Sequence, residues 1–492
     1  MNQSFLIGAA VAFPILYGAF LLLFPGIRKR KTLITVTAAG LGIATLLGLL
    51  VITDGDAQLE VLRFGENLKI YFRVDNIGRV FAAITMLVWP LAGVYSFEYM
   101  KHETEEKRYF GFYTIVYGVI LALCFSGNLI TFYMFFEMMT LTSFPLVLHS
   151  KTKEAMLGGL KYLFYSLCGA YMVLLGIYFF SRYTTTLDFA AGGSLDMAGI
   201  SGREGLLLVM AFFMILGFGV KAGMFPMHAW LPSAHPVAPA PASAVMSGLI
   251  VKMGVLGIIR AVYYVVGADF LQDTWVQRVW LILSLITVFM GSMLAYREKV
   301  MKKRLAYSTV SQISYILFGL ALLQPYAMTG SLLHVVFHAV IKSCLFLGAG
   351  AIIYKSGRTR VDELTGIGKE MPVTIWCFTF ASLALIGIPP ASGFISKWYL
   401  AVGSLESGIA VFTWLGPVIL LVSALLTAGY LLPVAVKGFL PGADFDYRKL
   451  KKREPVKLMT VPMVILAALA VLLGVFPNSL IGYLAAIAGS LF

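Results

Sequence analysis

Charge is what this sequence has least of. Only 13% of its 492 residues are Asp, Glu, Lys or Arg, while 59% are hydrophobic. Soluble domains carry about 25% charged residues, so the composition excludes a soluble globular protein and describes one bathed in lipid. Cysteine is also scarce. Cys124, Cys168, Cys344 and Cys377 all fall inside apolar runs with no CxxC spacing, which argues against disulfides, iron–sulfur clusters and zinc. No nucleotide or redox-centre motif occurs, so neither a cofactor nor a metal is expected. The N-terminal MNQSFLIGAA lacks the basic leader and cleavage site of a signal peptide and reads as the start of a first span.

What is there is apolar sequence in long stretches. Runs of about 20 residues are continuous rather than alternating, which predicts transmembrane helices and not a barrel. They fall near 5–25, 32–53, 77–100, 110–126, 128–149, 155–180, 206–230, 239–266, 276–296, 305–324, 327–354, 372–400, 411–436 and 459–477, giving fourteen expected spans. The basic residues test that number. With the N-terminus outside, the loops 27–31, 101–108, 150–154, 296–304, 355–370 and 437–457 would be cytoplasmic, and they hold 25 of the 38 Lys and Arg residues. The opposite loops hold seven. This asymmetry obeys the positive-inside rule, so the net charge of +14 reports topology and anionic lipid rather than nucleic acid. A multi-pass protein of the cell membrane is expected.

The organisation expected is an N-terminal group, 1–109, with an outer hairpin over 54–76. Two helical units follow, 110–266 and 276–436, and then a basic loop with a last helix, 437–492. The 437–457 loop reads as a solvated segment.

Six basic residues remain inside spans: Lys161, Lys221, Lys252, Arg260, Lys342 and Lys397. Glu137 is the one acidic residue near the middle of any span; Glu98 and Arg260, near helix ends, read as interfacial. An intramembrane ionisable residue is a functional-site hypothesis, so a lone buried carboxylate among amines points to pairing. At about 4 Å and an effective dielectric near 20, Glu137 and Lys221 would attract by roughly 4 kcal/mol. Desolvation of a buried lysine is of similar size, which makes the pair a proton switch; a static ion pair is the alternative. His334, His338 and Lys342 recur every four residues and so share one helical face. HExxH-like metal binding is disfavoured, since no glutamate follows His334 and a lysine extends the row, leaving a proton relay as the reading. Lys161, nearer the end of its helix, either snorkels or joins the relay.

The stretch 217–254 carries Lys221, Lys252, His228, His235 and five prolines, and its helix should break near Pro226. A second break is expected at Pro389, Pro390 and Gly393, ahead of Lys397. These are the seventh and twelfth spans, five apart. Two interrupted spans at corresponding positions are the mark of inverted-repeat transporters, here helices 4–8 and 9–13.

These residues resemble the antiporter-like proton-translocating membrane subunits. That family includes Mrp-type cation/proton antiporter subunits, the large membrane-arm subunits of respiratory complex I and their counterparts in membrane-bound hydrogenases. The likeness is carried by FEMMTLTSFPLVL, by VKAGMFPMHAWLPSAHPVAPAPASAVMSGLIVKMG, by LAYSTVSQISY, by HAVIKSCLFLGAG and by GIPPASGFISKW. It implies an all-α polytopic fold of two inverted five-helix bundles with discontinuous helices 7 and 12. By resemblance Glu137 and Lys221 match the paired helix-5 and helix-7 residues, and Lys252 the central helix-8 position. His334, His338 and Lys342 then fall in the helix-11 segment, and Lys397 matches the basic helix-12 residue near the outer exit. The short C-terminus and the lysine at 397 favour similarity to the D-type subunit of Mrp antiporters or its hydrogenase counterparts. The implied activity is proton transfer in a larger complex, with other antiporter-like and small membrane subunits, lipid and a cytoplasmic redox module or Na⁺ exchange as partners. A stand-alone antiporter, a quinone-binding redox subunit and a non-conducting scaffold are the alternatives.

Overall fold

The computed structural model describes every residue except 1, 2, 54, 66, 67, 443, 444, 447, 449 and 450. The chain is a bundle of helices. In order they are α1 (Gln3–Leu23), α2 (Arg30–Thr53), α3 (Asn76–Tyr99), α4 (Glu106–Phe125), α5 (Leu129–Val147), α6 (Lys153–Tyr183), α7 (Glu204–Ala222) and α8 (Leu231–Val237). Then come α9 (Ala240–Val266), α10 (Trp275–Arg297), α11 (Met301–Ala321) and α12 (Pro325–Ser356). The chain closes with α13 (Pro372–Ile386), α14 (Ser392–Leu405), α15 (Phe412–Phe439), α16 (Lys457–Val475) and α17 (Asn478–Gly489). Among the described residues, 12 helices are long and apolar enough to cross a membrane. The runs expected as the tenth and twelfth spans are outside that set for different reasons. α11 is 21 residues long but carries the polar sequence LAYSTVSQISY, and the twelfth is divided into α13 and α14.

The expected outer hairpin forms as β1 (Gln58–Arg63) and β2 (Lys69–Arg73), antiparallel with a bulge between Glu60 and Leu62. Positions 66 and 67, between the two strands, lie outside the described residues. Local polar side chains start several helices. Asp75 accepts from the Gly78 amide ahead of α3, Asn128 from Thr131 ahead of α5, and Thr152 from Ala155 ahead of α6. Each satisfies one of the amides that a helix start leaves unpaired.

Burial decides which helices can hold ionisable groups. The apolar stretches of α1, α2 and α16 are mostly exposed to the surroundings of the chain, whereas α9 is wholly buried and α12 and α4 nearly so. Lysines in α9 and α12 therefore meet protein and not lipid, which is where such residues are tolerated. α9 reaches its place against α7 through Gly254. A Cβ there would sit 2.7 Å from the Phe218 carbonyl oxygen, so the two backbones approach as only a glycine allows.

Both expected breaks occur. α7 ends at Ala222, three residues ahead of where proline alone would stop it, because Gly223 turns left-handed at φ 79°. The chain then runs through turns to α8, and Pro239 separates α8 from α9. α13 likewise ends at Gly387, with φ 92°, before the two prolines. α9 itself widens into π-helical turns at Met246–Ile250 and Val262–Val266. Such turns are rare and cluster at functional sites.

Two charged residues near helix ends, read as interfacial, are buried by protein. Arg260 is wholly buried, where it donates to both carboxylate oxygens of Asp75 and lies over the rings of Phe189 at 4.5 Å and Tyr264 at 4.8 Å. Glu98 is also buried, paired with Lys101 and accepting from the Tyr354 hydroxyl at 3.2 Å.

Candidate functional site

The lysine at the first break is caged by hydroxyls. Lys221 ends α7, and its Nζ donates to Thr140 Oγ1 at 2.7 Å, Tyr162 Oη at 3.0 Å and Ser166 Oγ at 3.0 Å. The Tyr162 ring lies 4.5 Å from the same nitrogen. Glu137 was expected to contact this ammonium, and it does not. Among the described residues no ion pair within 4.0 Å joins them, and the Glu137 Oε1 atom is buried without a protein partner. Thr140, one turn after Glu137 on α5, stands where the carboxylate was expected. The two groups remain within electrostatic reach. Glu137 is half-buried, on a side of α5 that also exposes Met134 and Leu141.

Lys252 lies at the bundle centre, just after the first π-helical turn of α9. Its Nζ donates to the Ser247 carbonyl at 2.7 Å and sits 2.7 Å from His338 Nδ1. Both residues are fully buried. The His338 ring faces His334 with centroids 5.8 Å apart, and His334 Nδ1 is 2.9 Å from Ser396 Oγ. Tyr315 of α11 stacks on His334 at 5.6 Å and lies 5.1 Å beneath the Lys397 Nζ. Lys397, half-buried, donates to the carbonyls of Leu385 and Ile386 at 2.7 and 2.9 Å. It thereby serves carbonyls that the end of α13 leaves unpaired, a natural place for a cation.

The residues Lys252, His338, His334 and Lys397 therefore come together as one polar line. Lys342 is on the same helix face but its Nζ turns to the Leu305 carbonyl at 3.0 Å. Lys161 is exposed on α6 and stands apart from the line. Among the described residues, no side-chain hydrogen bond joins the Lys221 cage to Lys252. Several polar groups around Lys221 and beside the line were not singled out from sequence. They include Thr140, Tyr162, Ser166, Tyr315 and Ser396. Gln312 and Ser314 of α11 add buried polar atoms without protein partners, as do the Nε2 atoms of His334 and His338. Buried polar atoms normally find a partner in protein or ordered water, so this cluster favours hydration. The signal for it was a run of hydroxyls, STVSQISY, inside a membrane-length helix.

Comparison with known proteins agrees with this architecture. Residues 126–431 match the family described as NADH:quinone oxidoreductase/Mrp antiporter, TM. The chain is 31% identical to NADH-quinone oxidoreductase subunit N of Desulforudis audaxviator, covering 81% of this chain and 83% of that one. It is 27% identical to the D-type subunit of the Na(+)/H(+) antiporter of Bacillus subtilis, covering 93% and 92%. A chain in the structure of the Mrp complex from Dietzia sp. superposes with a TM-score of 0.85 at 22% identity, over 99% of this chain and 97% of that chain, and so shares the fold. The chain is a member of the NADH:quinone oxidoreductase/Mrp antiporter family of polytopic membrane subunits.

Proposed function

We propose that this protein is a proton-translocating antiporter-like subunit of a multisubunit membrane complex, moving H⁺ along the line Lys252–His338–His334–Lys397. The Lys252–His338 contact carries the reading. Two positive charges 2.7 Å apart would repel by roughly 6 kcal/mol even at an effective dielectric near 20. The pair therefore holds one proton between amine and imidazole and titrates as a unit. A second proton arriving at Lys252 expels one from His338 toward His334, Ser396 and Lys397. Buried hydroxyls and unpartnered ring nitrogens along that path support a hydrated relay.

Lys221 and Glu137 act as the modulator. A cation in the hydroxyl cage raises the cost of charging Lys252, and Glu137, unpaired and facing outward at mid-helix, sets how firmly Lys221 keeps its proton. The named relatives belong to respiratory and antiporter systems, which supports partners among other membrane subunits. We place the N-terminus outside and the basic loops in the cytoplasm of the cell membrane. In the assembled complex, Lys252→Met and His338→Phe should each lower proton translocation by at least about 100-fold, the lower range for loss of a positioned proton-transfer group. Parent-level translocation in both would refute the path.

A further inference from the structure

A second polar site lies toward the basic loops, away from the line described above. It is a cavity of about 190 Å³ bounded by Tyr99, Glu103, the Pro236–Pro239 stretch where α8 ends, Val300 and Lys302. We propose that this cavity is the intake port by which protons from the basic-loop side reach the buried line, with His235 as the relay behind it. The proposal rests on the proton-translocating reading and adds the side from which it is supplied.

The cavity is large enough for several waters, each of which occupies about 30 Å³ in the liquid. Lys302, from the basic 296–304 loop expected to be cytoplasmic, is buried there instead. Its Nζ donates to the Pro236 carbonyl at 2.9 Å and to the Ala238 carbonyl, both at the end of α8. Glu103 is the carboxylate at the mouth. Partial burial lifts its carboxyl above the ordinary range, while the charges of Lys302 and His102 pull the other way. It thus takes up protons closer to neutral pH than an exposed glutamate does.

Behind the mouth stands His235, wholly buried, with neither ring nitrogen partnered by protein. Its ring stacks on Phe346 at 4.7 Å, one turn beyond Lys342 on α12, and it feels the charges of both Lys302 and Lys342. An imidazole with two free nitrogens can accept a proton on one and release it from the other. His235 thus stands between the mouth and the face of α12 that carries Lys342 and His338. Proline explains the opening. The breaks around Pro236 and Pro239 expose carbonyls that a continuous helix would have used internally.

The test uses the assembled complex in membrane vesicles with the basic-loop face accessible. Glu103→Gln and His235→Phe should each lower proton translocation at least about tenfold while assembly is unchanged, a modest fraction of what a positioned proton-transfer group supplies. Val300→Cys should translocate normally until a bulky membrane-impermeant thiol reagent is added from the basic-loop face, and then stop. Parent-level rates in both relay variants, or an unblocked Val300→Cys protein after full labelling, would overturn the port. Where a relay variant fails to assemble, the cysteine block decides. Lys252→Met is run beside them: if it still translocates, the line itself is wrong, whereas loss in Lys252→Met with an unblocked port condemns the port alone.

Discussion

Lysine positions are easy to read from an apolar sequence, but the partners that fix their chemistry are not. Lys221 stood out because it is charged at membrane depth, and Glu137 was the obvious counter-ion. The structure gives the ammonium three hydroxyls instead, from residues that are common in helices and carry no signal singly. Hydrogen bonds to charged groups contribute about 1.5–3 kcal/mol each. Thr140→Val should therefore slow or unbalance translocation strongly, whereas Thr140→Ser, which keeps the oxygen, should restore most of it; steady-state rates in vesicles measure both. His149, buried just beyond the end of α5, offers a separate check. Burial, first, and the Arg108 charge hold its imidazole down at about 4, and its Nε2 lies 2.8 Å from the Thr104 carbonyl. The unfolded chain protonates near 6.5, so it binds more protons than the folded one between those values. Stability should fall as pH drops from about 6.5 toward about 4 and level off below. His149→Gln should flatten that slope in thermal unfolding of the purified protein.

At the scale of elements, the breaks at α7 and α13 were legible because proline and glycine act locally. Their exact onset was not, since Gly223 and Gly387 take the left-handed turn before any proline is reached. The embedding of α9 was invisible for the opposite reason. Nothing within Arg260 or its neighbours announces that Asp75, 185 positions away, will meet it. Removing one partner of a buried pair typically costs about 3–5 kcal/mol. Arg260→Ala should lower the unfolding temperature in detergent more than the double variant Asp75→Asn/Arg260→Gln does. An equal loss in both would show that the pair contributes packing and no charge compensation. Gly254→Val should be at least as damaging, because it drives α9 off α7 at the level of Lys221.

For the whole molecule, composition and the continuous apolar runs pointed to a polytopic helical membrane protein, and the long motifs pointed to the family. Lys302 shows the limit of loop assignments. It belongs to a basic loop by sequence, yet it lies in the first turn of α11 and points inward against the end of α8. The distribution of basic loops still predicts sidedness. Single cysteines at Ser356 and Met197 should react with an impermeant thiol reagent from opposite faces of the membrane; reaction from one face would invert or break the proposed topology.

The central claim is that Lys252 gives up and regains a proton on each cycle. Arginine keeps its charge at any physiological pH, so Lys252→Arg preserves the cation and removes the exchange. Proton translocation by the assembled Lys252→Arg complex, beside Lys252→Met, is the most direct measurement. The account predicts that neither variant translocates although both assemble; a Lys252→Arg complex moving protons at the parent rate would mean that a fixed charge suffices and that no proton passes through Lys252.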